Sequence, residues 1–381
     1  MSGGAGKEDT MHIDRIELYL VENRFHKPWR TAYGSDPGNC AVFARMISGD
    51  KEGWSEASPL PGPNYSCEYG AGAFDVAKRF LAPSVIGKDF SSAKELNEAM
   101  AHVKGNPFAK SAIEMAWWCL DADLKGKSLG QVLGREKNEV EVGDGWGVYD
   151  SYDELITNIG KSLDMGYKRI KLKTMHGWDV EMLEAVRSVF PKETIHIDCN
   201  SSYTIDEIDT FKKMDKFHLA MIEQPFQNLD IYYHSKLQQQ IETPLCLDET
   251  ITEVWQAEQA AELKACGFIN IKPARVGGLQ NTLDINEICR QAGIGCWIGG
   301  MMESDVGKAI CTEAAGISNM VYPHDITPST VNYPEIITES IIEETPQRTI
   351  ACSDRIGTPI RPDMEKMLAK TIASCVLEAE E

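Results

Sequence analysis

The sequence predicts an α/β fold, a (β/α)8-type barrel preceded by an α+β module, and three observations predict it. After Gly134, short β-rich runs alternate with amphipathic stretches: VEVGDGWGVY, RIKLKT, TIHIDCN, LAMIEQPF, TPLCLDET, FINIKPA, GCWIGGMMES and MVYPHDIT. Eight strand candidates separated by helices imply a parallel sheet. The spacing is regular: Lys173, Asp198, Glu223 and Asp248 follow one another at intervals of 25 residues and Lys272 comes 24 later, one βα unit per interval. No GxGxxG turn follows an early strand, which favours a closed barrel over an open, doubly wound sheet.

Residues 1–10, MSGGAGKEDT, are polar and Gly-rich and are read as a disordered leader outside the fold. Residues 11–135 form the α+β module. Its runs IDRIELYLVE and NCAVFARMISG alternate apolar and polar residues, with GSDPGN between them as the turn of an antiparallel pair. The Pro- and Gly-rich loop SPLPGPNYSCEYGAGA starts at Ser58, and helical stretches follow. The last of these places Ile113, Ala116, Trp117, Leu120 and Leu124 on one face. Residues 136–330 are assigned to the barrel. The tail, residues 331–381, is strand-like rather than helical from ITESIIEETPQ onward and is expected to return to the first module.

Composition narrows the function classes. A chain of 381 residues fits a barrel of roughly 200 to 250 residues plus a second module. With 43% hydrophobic and 25% charged residues it reads as soluble and globular, since no apolar run approaches the roughly 18 to 20 residues of a membrane span. The net charge of -20 opposes nucleic-acid binding, which needs Lys and Arg to neutralise phosphates. An acidic chain acting on an anionic substrate needs local positive charge, and a divalent cation can supply it. Eleven cysteines, an odd number without a CxxC pair or a secretory leader, point to a reduced, cytoplasmic setting. Cys246 lies in an apolar run and reads as a small buried hydrophobe.

In a parallel barrel the polar residues that end successive strands converge on one axis. Here the second strand ends in Lys171-Leu-Lys173, the third in Asp198-Cys-Asn200, the fourth in Glu223, the fifth in Asp248-Glu249 and the sixth in Lys272. A single acid or lysine at a strand end is usually a solvated residue or a helix cap. Three carboxylates on adjacent strands instead ask for a cation between them, and oxygen-only ligation favours Mg²⁺ or Mn²⁺ over zinc. Strands two and six of eight lie opposite each other, so Lys173 and Lys272 are expected to face one another across a substrate. Lys171 shares the face of Lys173, and a neighbouring ammonium and metal are expected to lower the pKa of the working lysine. Such a site suits proton removal alpha to a carboxylate, with the metal holding the enediolate. His196, two residues before Asp198, reads as a packed core histidine. Cys199 alternates to the other face, and Trp117 and Trp118 read as core.

These residues resemble the enolase superfamily from Met11 onward, and the lysine on strand six, with no histidine in GGMMES on strand seven, resembles the muconate lactonizing subgroup. Within it, KPARVGGL from Lys272, GGMMESDVGKA from Gly299, PHDIT from Pro323 and GNPFAKSAIEMAWW from Gly105 resemble the o-succinylbenzoate synthase and N-acylamino-acid racemase family. The resemblance implies a modified (β/α)7β barrel under a capping domain whose loops, PWRTAYG from Pro28 and the stretch from Ser58, choose a small carboxylate substrate. It implies Lys173 and Lys272 as the acid/base pair, Lys171 as supporting cation, and Asp198, Glu223 and Asp248 as ligands of Mg²⁺. Asn200, Glu249 and Glu303 are expected beside the metal or substrate, and a homo-oligomer is expected. A dipeptide epimerase, whose Asp-x-Asp is here Asp325-Ile326-Thr327, and a muconate-type cycloisomerase are the enzymatic alternatives. A non-catalytic metal-binding barrel is the alternative of another class.

Overall fold

A computed structural model of the chain describes residues 10–31 and 34–379. The leader, apart from Thr10, and residues 32–33 of the PWRTAYG loop lie outside the described residues. The first module is built on an antiparallel sheet of β1 (Arg15–Thr31), β2 (Gly34–Ser48) and β3 (Lys51–Ala57). The hairpin is longer than the sequence suggested: residues 34–39, expected as its turn, are part of β2. Gly38 serves strand approach rather than turning, because a Cβ there would meet the Asn23 carbonyl oxygen at 2.4 Å.

Helix α1 (Pro107–Leu124) packs on β2 and β3 and, beyond them, against a barrel helix. Ile113, Ala116, Trp117 and Leu120 are buried as expected, but Leu124 is 43% exposed, while Ala112, Met115 and Cys119 are buried as well. The helix is enclosed on more than one side, so its buried surface is wider than a single stripe. It approaches β3 closely, since a Cβ on Gly53 would lie 2.2 Å from Ala116 O and 2.3 Å from Leu120 N.

Seven parallel strands form the barrel in sequential order: β4 (Asp144–Trp146), β5 (Arg169–Lys173), β6 (Thr194–Asp198), β7 (Ile222–Glu223), β8 (Leu245–Leu247), β9 (Phe268–Ile271) and β10 (Gly295–Ile298). The run VEVGDGWGVY is split. Only its second part enters the barrel as β4; Glu139–Glu141 pairs antiparallel with Thr349–Ala351 of the tail. Gly143 marks the change, for a Cβ there would fall 2.1 Å from Arg169 Nε.

The eighth candidate, MVYPHDIT, closes the ring by isolated bridges rather than a ladder: Cys296 pairs with Met320, and Val142 with His324. Pro323 has no N–H to give. The His324 ring compensates, its Nδ1 accepting from Ile298 N at 2.9 Å. Helices α2 (Leu279–Ala292) and α3 (Asp305–Ala315) follow β9 and β10. The tail returns as expected, β11 (Thr371–Glu378) pairing antiparallel with β1. Among the described residues no helix is long and apolar enough to cross a membrane.

Gly53→Ala is expected to cost about 3 kcal/mol, the upper end of overpacking, because helix backbone rather than a movable side chain fills the space. Gly62→Ala, whose Cβ would meet nothing closer than 3.6 Å, is expected to stay within about 0.5 kcal/mol of the parent. Denaturant midpoints of the two variants check the contrast.

Candidate active site

Alternation along RIKLK sends Arg169, Lys171 and Lys173 to one face of β5, and parallel pairing aligns Lys173 with Asp198 and Asp198 with Glu223. Asp248 follows β8 and Lys272 follows β9 directly. The structure therefore brings together the lysines and acids singled out by their spacing. Lys171 Nζ lies 2.8 Å from Asp198 Oδ2 and 2.9 Å from Glu223 Oε2. Lys173 Nζ donates to Asp198 Oδ2 at 2.7 Å and to Asn200 Oδ1 at 2.5 Å. Lys272 Nζ donates to Asp248 Oδ2 at 2.9 Å.

Asn200 joins two of these groups, for its Nδ2 donates to Glu249 Oε1 at 3.1 Å. Glu303 is buried apart from the acids, and its Oε1 accepts from Met301 N at 2.9 Å. Asn200, Gln224 and Met302 hold left-handed backbone at φ 43, 38 and 58, next to the strand-end acids and Glu303. Strain of this kind persists where the surroundings over-determine it. Gln224 does so here, its Oε1 accepting from Asp248 N at 2.9 Å and Thr250 N at 3.2 Å.

Four further residues complete the constellation. Arg275 Nη1 donates to Asp248 Oδ1, and the Tyr65 hydroxyl accepts from Lys272 Nζ and Arg275 Nη1, both at 3.0 Å. Arg169 Nη2 pairs with Asp325 Oδ1 at 2.6 Å, and Asp325 Oδ2 accepts from Lys171 at 3.1 Å. Arg169 was legible in the strand's alternation. Arg275 lies past the strand end, where alternation stops, and Tyr65 arrives from the Pro-rich loop of the first module.

His196 is packed as expected, with Nδ1 3.1 Å from the Tyr322 hydroxyl, Nε2 3.3 Å from Glu223 Oε2 and Trp297 edge-on at 5.7 Å. Burial lowers its pKa, which keeps it neutral. Cys199 is buried with its thiol pushed well up by desolvation, and Trp117 is core.

Burial alone would lower the lysines, but Asp198, Asp325 and Glu223 overcome it at Lys171, which stands well above its ordinary range. Asp248 does the same to Lys272. At both residues the ammonium touches a carboxylate, and that contact outweighs burial. Burial likewise opposes ionisation of Asp198, yet Lys171 and Lys173 hold it far below the usual carboxylate range. Glu249 goes the other way: burial, with Asp248 and Asp198 adding to it, pushes it up to about 8. Among the described residues no three carboxylates, imidazoles or thiolates converge as a ready-made metal cluster. Lys171, Lys173, Lys272 and Arg275 already bind acid oxygens.

Two family models match the chain. Residues 15–134 match the N-terminal domain of the mandelate racemase / muconate lactonizing enzyme family, and residues 154–366 match the enolase C-terminal domain-like family. The chain belongs to the enolase superfamily. A crystal structure of an enolase-superfamily member from Listeria innocua superposes with a TM-score of 0.93 at 31% identity, over 97% of this chain and 99% of the other. The N-succinylamino acid racemase of Thermus thermophilus is 36% identical over 333 residues, 87% of this chain and 90% of the relative. The o-succinylbenzoate synthase of Bacillus subtilis is 34% identical over 363 residues, 94% and 98% of the two chains.

As an enolase-superfamily member this chain is an enzyme, and enzymes of the superfamily generally use a divalent metal. Two buried oxygens fit a missing cation: Glu249 Oε2 and Asn270 Oδ1 have no hydrogen-bond partner, the latter on a side chain whose Nδ2 donates to Glu223 at 2.7 Å.

Without metal, the raised pKa of Glu249 makes stability depend on pH. The folded protein binds a proton more tightly than the unfolded chain, so the stabilisation is complete below the ordinary carboxylate pKa of 4.5 and is lost as pH rises through about 8. Denaturation in chelator between pH 5 and 9 is expected to show this decline, and Glu249→Gln is expected to flatten it. An unchanged slope in that variant would place the titration elsewhere.

Proposed function

We propose that this enzyme removes the proton alpha to the carboxylate of a small acid and passes through an enediolate, with N-succinylamino acids or the precursor of o-succinylbenzoate as substrates. One observation carries the reading: two lysines, Lys173 and Lys272, anchor to different members of one acid series, Asp198 and Asp248, from strands with three others between them. Acid–base groups on two sides of one carbon allow a proton to leave one face and return to the other.

Asp198, Glu223 and Asp248 would hold the metal, Mg²⁺ or Mn²⁺, with Asn200 and Glu249 beside it, an all-oxygen set suited to a hard ion. When bound, the ion supplies positive charge to the substrate carboxylate and to the enediolate oxygens. Lys171, held protonated by its acids, adds a second fixed cation to the same side. Lys173 and Lys272 are the acid/base pair, one on each side of the substrate carbon.

Tyr65 seals the Lys272 side and brings the first module onto the reacting carbon. Dipeptide epimerisation is the weaker reading, because Asp325 is engaged by Arg169 and Lys171 and is not free to hold a substrate ammonium. The eleven free thiols suit a reducing, cytoplasmic setting.

Deuterium uptake from heavy water tests the chemistry, with N-succinylamino acids and the o-succinylbenzoate precursor, in Mg²⁺ and in chelator. Metal-dependent uptake is expected in at least one class. Lys173→Ala and Lys272→Ala are each expected to lose at least about 100-fold of the exchange from one enantiomer, the scale of a general acid–base contribution. Full exchange in both variants would refute the lysine assignment.

A further inference from the structure

Three buried glutamates of the first module take no part in the chemistry above, and each caps a helix that lacks a side-chain cap or shares one. Glu68 ends the loop that carries Tyr65. It accepts from Phe108 N at 2.9 Å and Ala109 N at 3.1 Å, the first turn of α1, whose N-cap Asn106 makes no capping bond with its side chain. Glu56 lies at the end of β3, just before the same loop, and accepts from Ser304 N at 2.9 Å and Gly307 N at 3.0 Å at the start of α3, where Ser304 also caps.

Glu114, on α1, reaches the barrel. Its Oε2 accepts from Leu279 N and its Oε1 from Gln280 N, both at 2.7 Å, and the Trp118 indole N–H adds a third bond at 2.8 Å. These backbone groups open α2, and the first turn of a helix has no partners of its own. The N-cap residue of α2 is Gly278, which has no side chain to offer. Its φ of 122° and the 2.0 Å that would separate a Cβ from Glu114 Oε2 both require glycine.

The seven residues from Lys272 to Gly278 run from the end of β9 to that cap. They are folded on themselves, with Val276 N donating to Lys272 O at 3.1 Å and Gly278 N to Pro273 O at 2.8 Å. The contacts therefore close a circuit: Lys272 to Tyr65, along its loop to Glu68, into α1, through Glu114 to α2, and back along the loop to Lys272. Lys173 stands outside it, held by Asp198 and Asn200.

We propose that Glu114 is a positioning residue for Lys272: by capping α2 from the first module it sets the Lys272–Gly278 loop, and so the placement of Lys272 Nζ against the substrate carbon. The proposal rests on the acid/base assignment of Lys272 made above. A displacement of about 1 Å at a reacting group costs on the order of 100-fold in rate, so a loosened cap acts on chemistry even where the fold survives. Both Glu114 oxygens accept from N–H groups, so Glu114→Gln keeps the size of the side chain but replaces one acceptor with a donor that faces an N–H.

The experiment compares Glu114→Gln with the parent in alpha-proton exchange from each enantiomer of an N-succinylamino acid, per folded molecule. Exchange through Lys272 is expected to fall by about 10- to 100-fold while exchange through Lys173 changes by less than about 2-fold. Equal losses for both enantiomers, or no loss, would overturn the proposal. Glu56→Gln, acting on α3, is expected to leave the ratio of the two rates unchanged. Glu114→Asp, which keeps the charge and shortens the reach, carries the same comparison if Glu114→Gln does not fold.

Backbone amide exchange is followed in parallel without substrate. Faster exchange in the peptide spanning residues 272–281 is expected in Glu114→Gln, and unaltered exchange there would overturn the clamp itself. If the parent exchanges no alpha proton from any acid, the acid/base assignment falls, and the amide measurement still judges whether Glu114 fixes the loop.

Discussion

Carboxylates cannot be gathered in the buried mouth of a barrel unless positive charge enters with them, and this constraint organises the site. Asp198, Glu223, Asp248 and Asp325 are met by Lys171, Lys173, Lys272, Arg169 and Arg275. Arg169 is fully buried and lies over the rings of Trp297 and Tyr322 at 5.5 and 5.8 Å. The aromatic layer beneath the acids thus completes the environment of the cations above it. Glu249 is bonded by the Asn200 amide N–H and, among the described residues, makes no ion pair of its own.

The first module contributes more than a cover. At α2 the N-cap glycine has no side-chain acceptor to offer, and at α3 Ser304 supplies one. Here the missing acceptors come from Glu114 and Glu56, while Tyr65 places a hydroxyl between two cations of the barrel. One surface therefore meets both the helix starts and the cations Lys272 and Arg275. A change in this module that altered substrate preference would act on helix starts as well as on pocket shape.

Much of this was legible because a closed parallel barrel turns sequence intervals into angular positions. Equal spacing from Lys173 to Asp248 placed the acids on neighbouring strands, and alternation along RIKLK fixed which residues point inward. What could not be read depended on contacts distant in sequence. Tyr65 and Lys272 are separated by 207 residues, and no local pattern links them. Gly38 and Gly143 were ambiguous for another reason: glycine marks a turn or a close approach with the same letter, and here both permit close approach. The lysines' raised pKa values escaped because they depend on which oxygen each ammonium touches.

The pairing of β1 with β11 also bears on how the chain acquires its structure. Leu18 and Cys375 stand opposite each other in the sheet, so the sheet that supports the first module gains its outer strand only after the barrel segments have been synthesised. Until then β1 keeps an open edge, with backbone groups available to any passing strand. The barrel, whose contacts run between successive βα units, can consolidate first. Nascent chains stalled before residue 371 would then carry β1 with that edge unpaired.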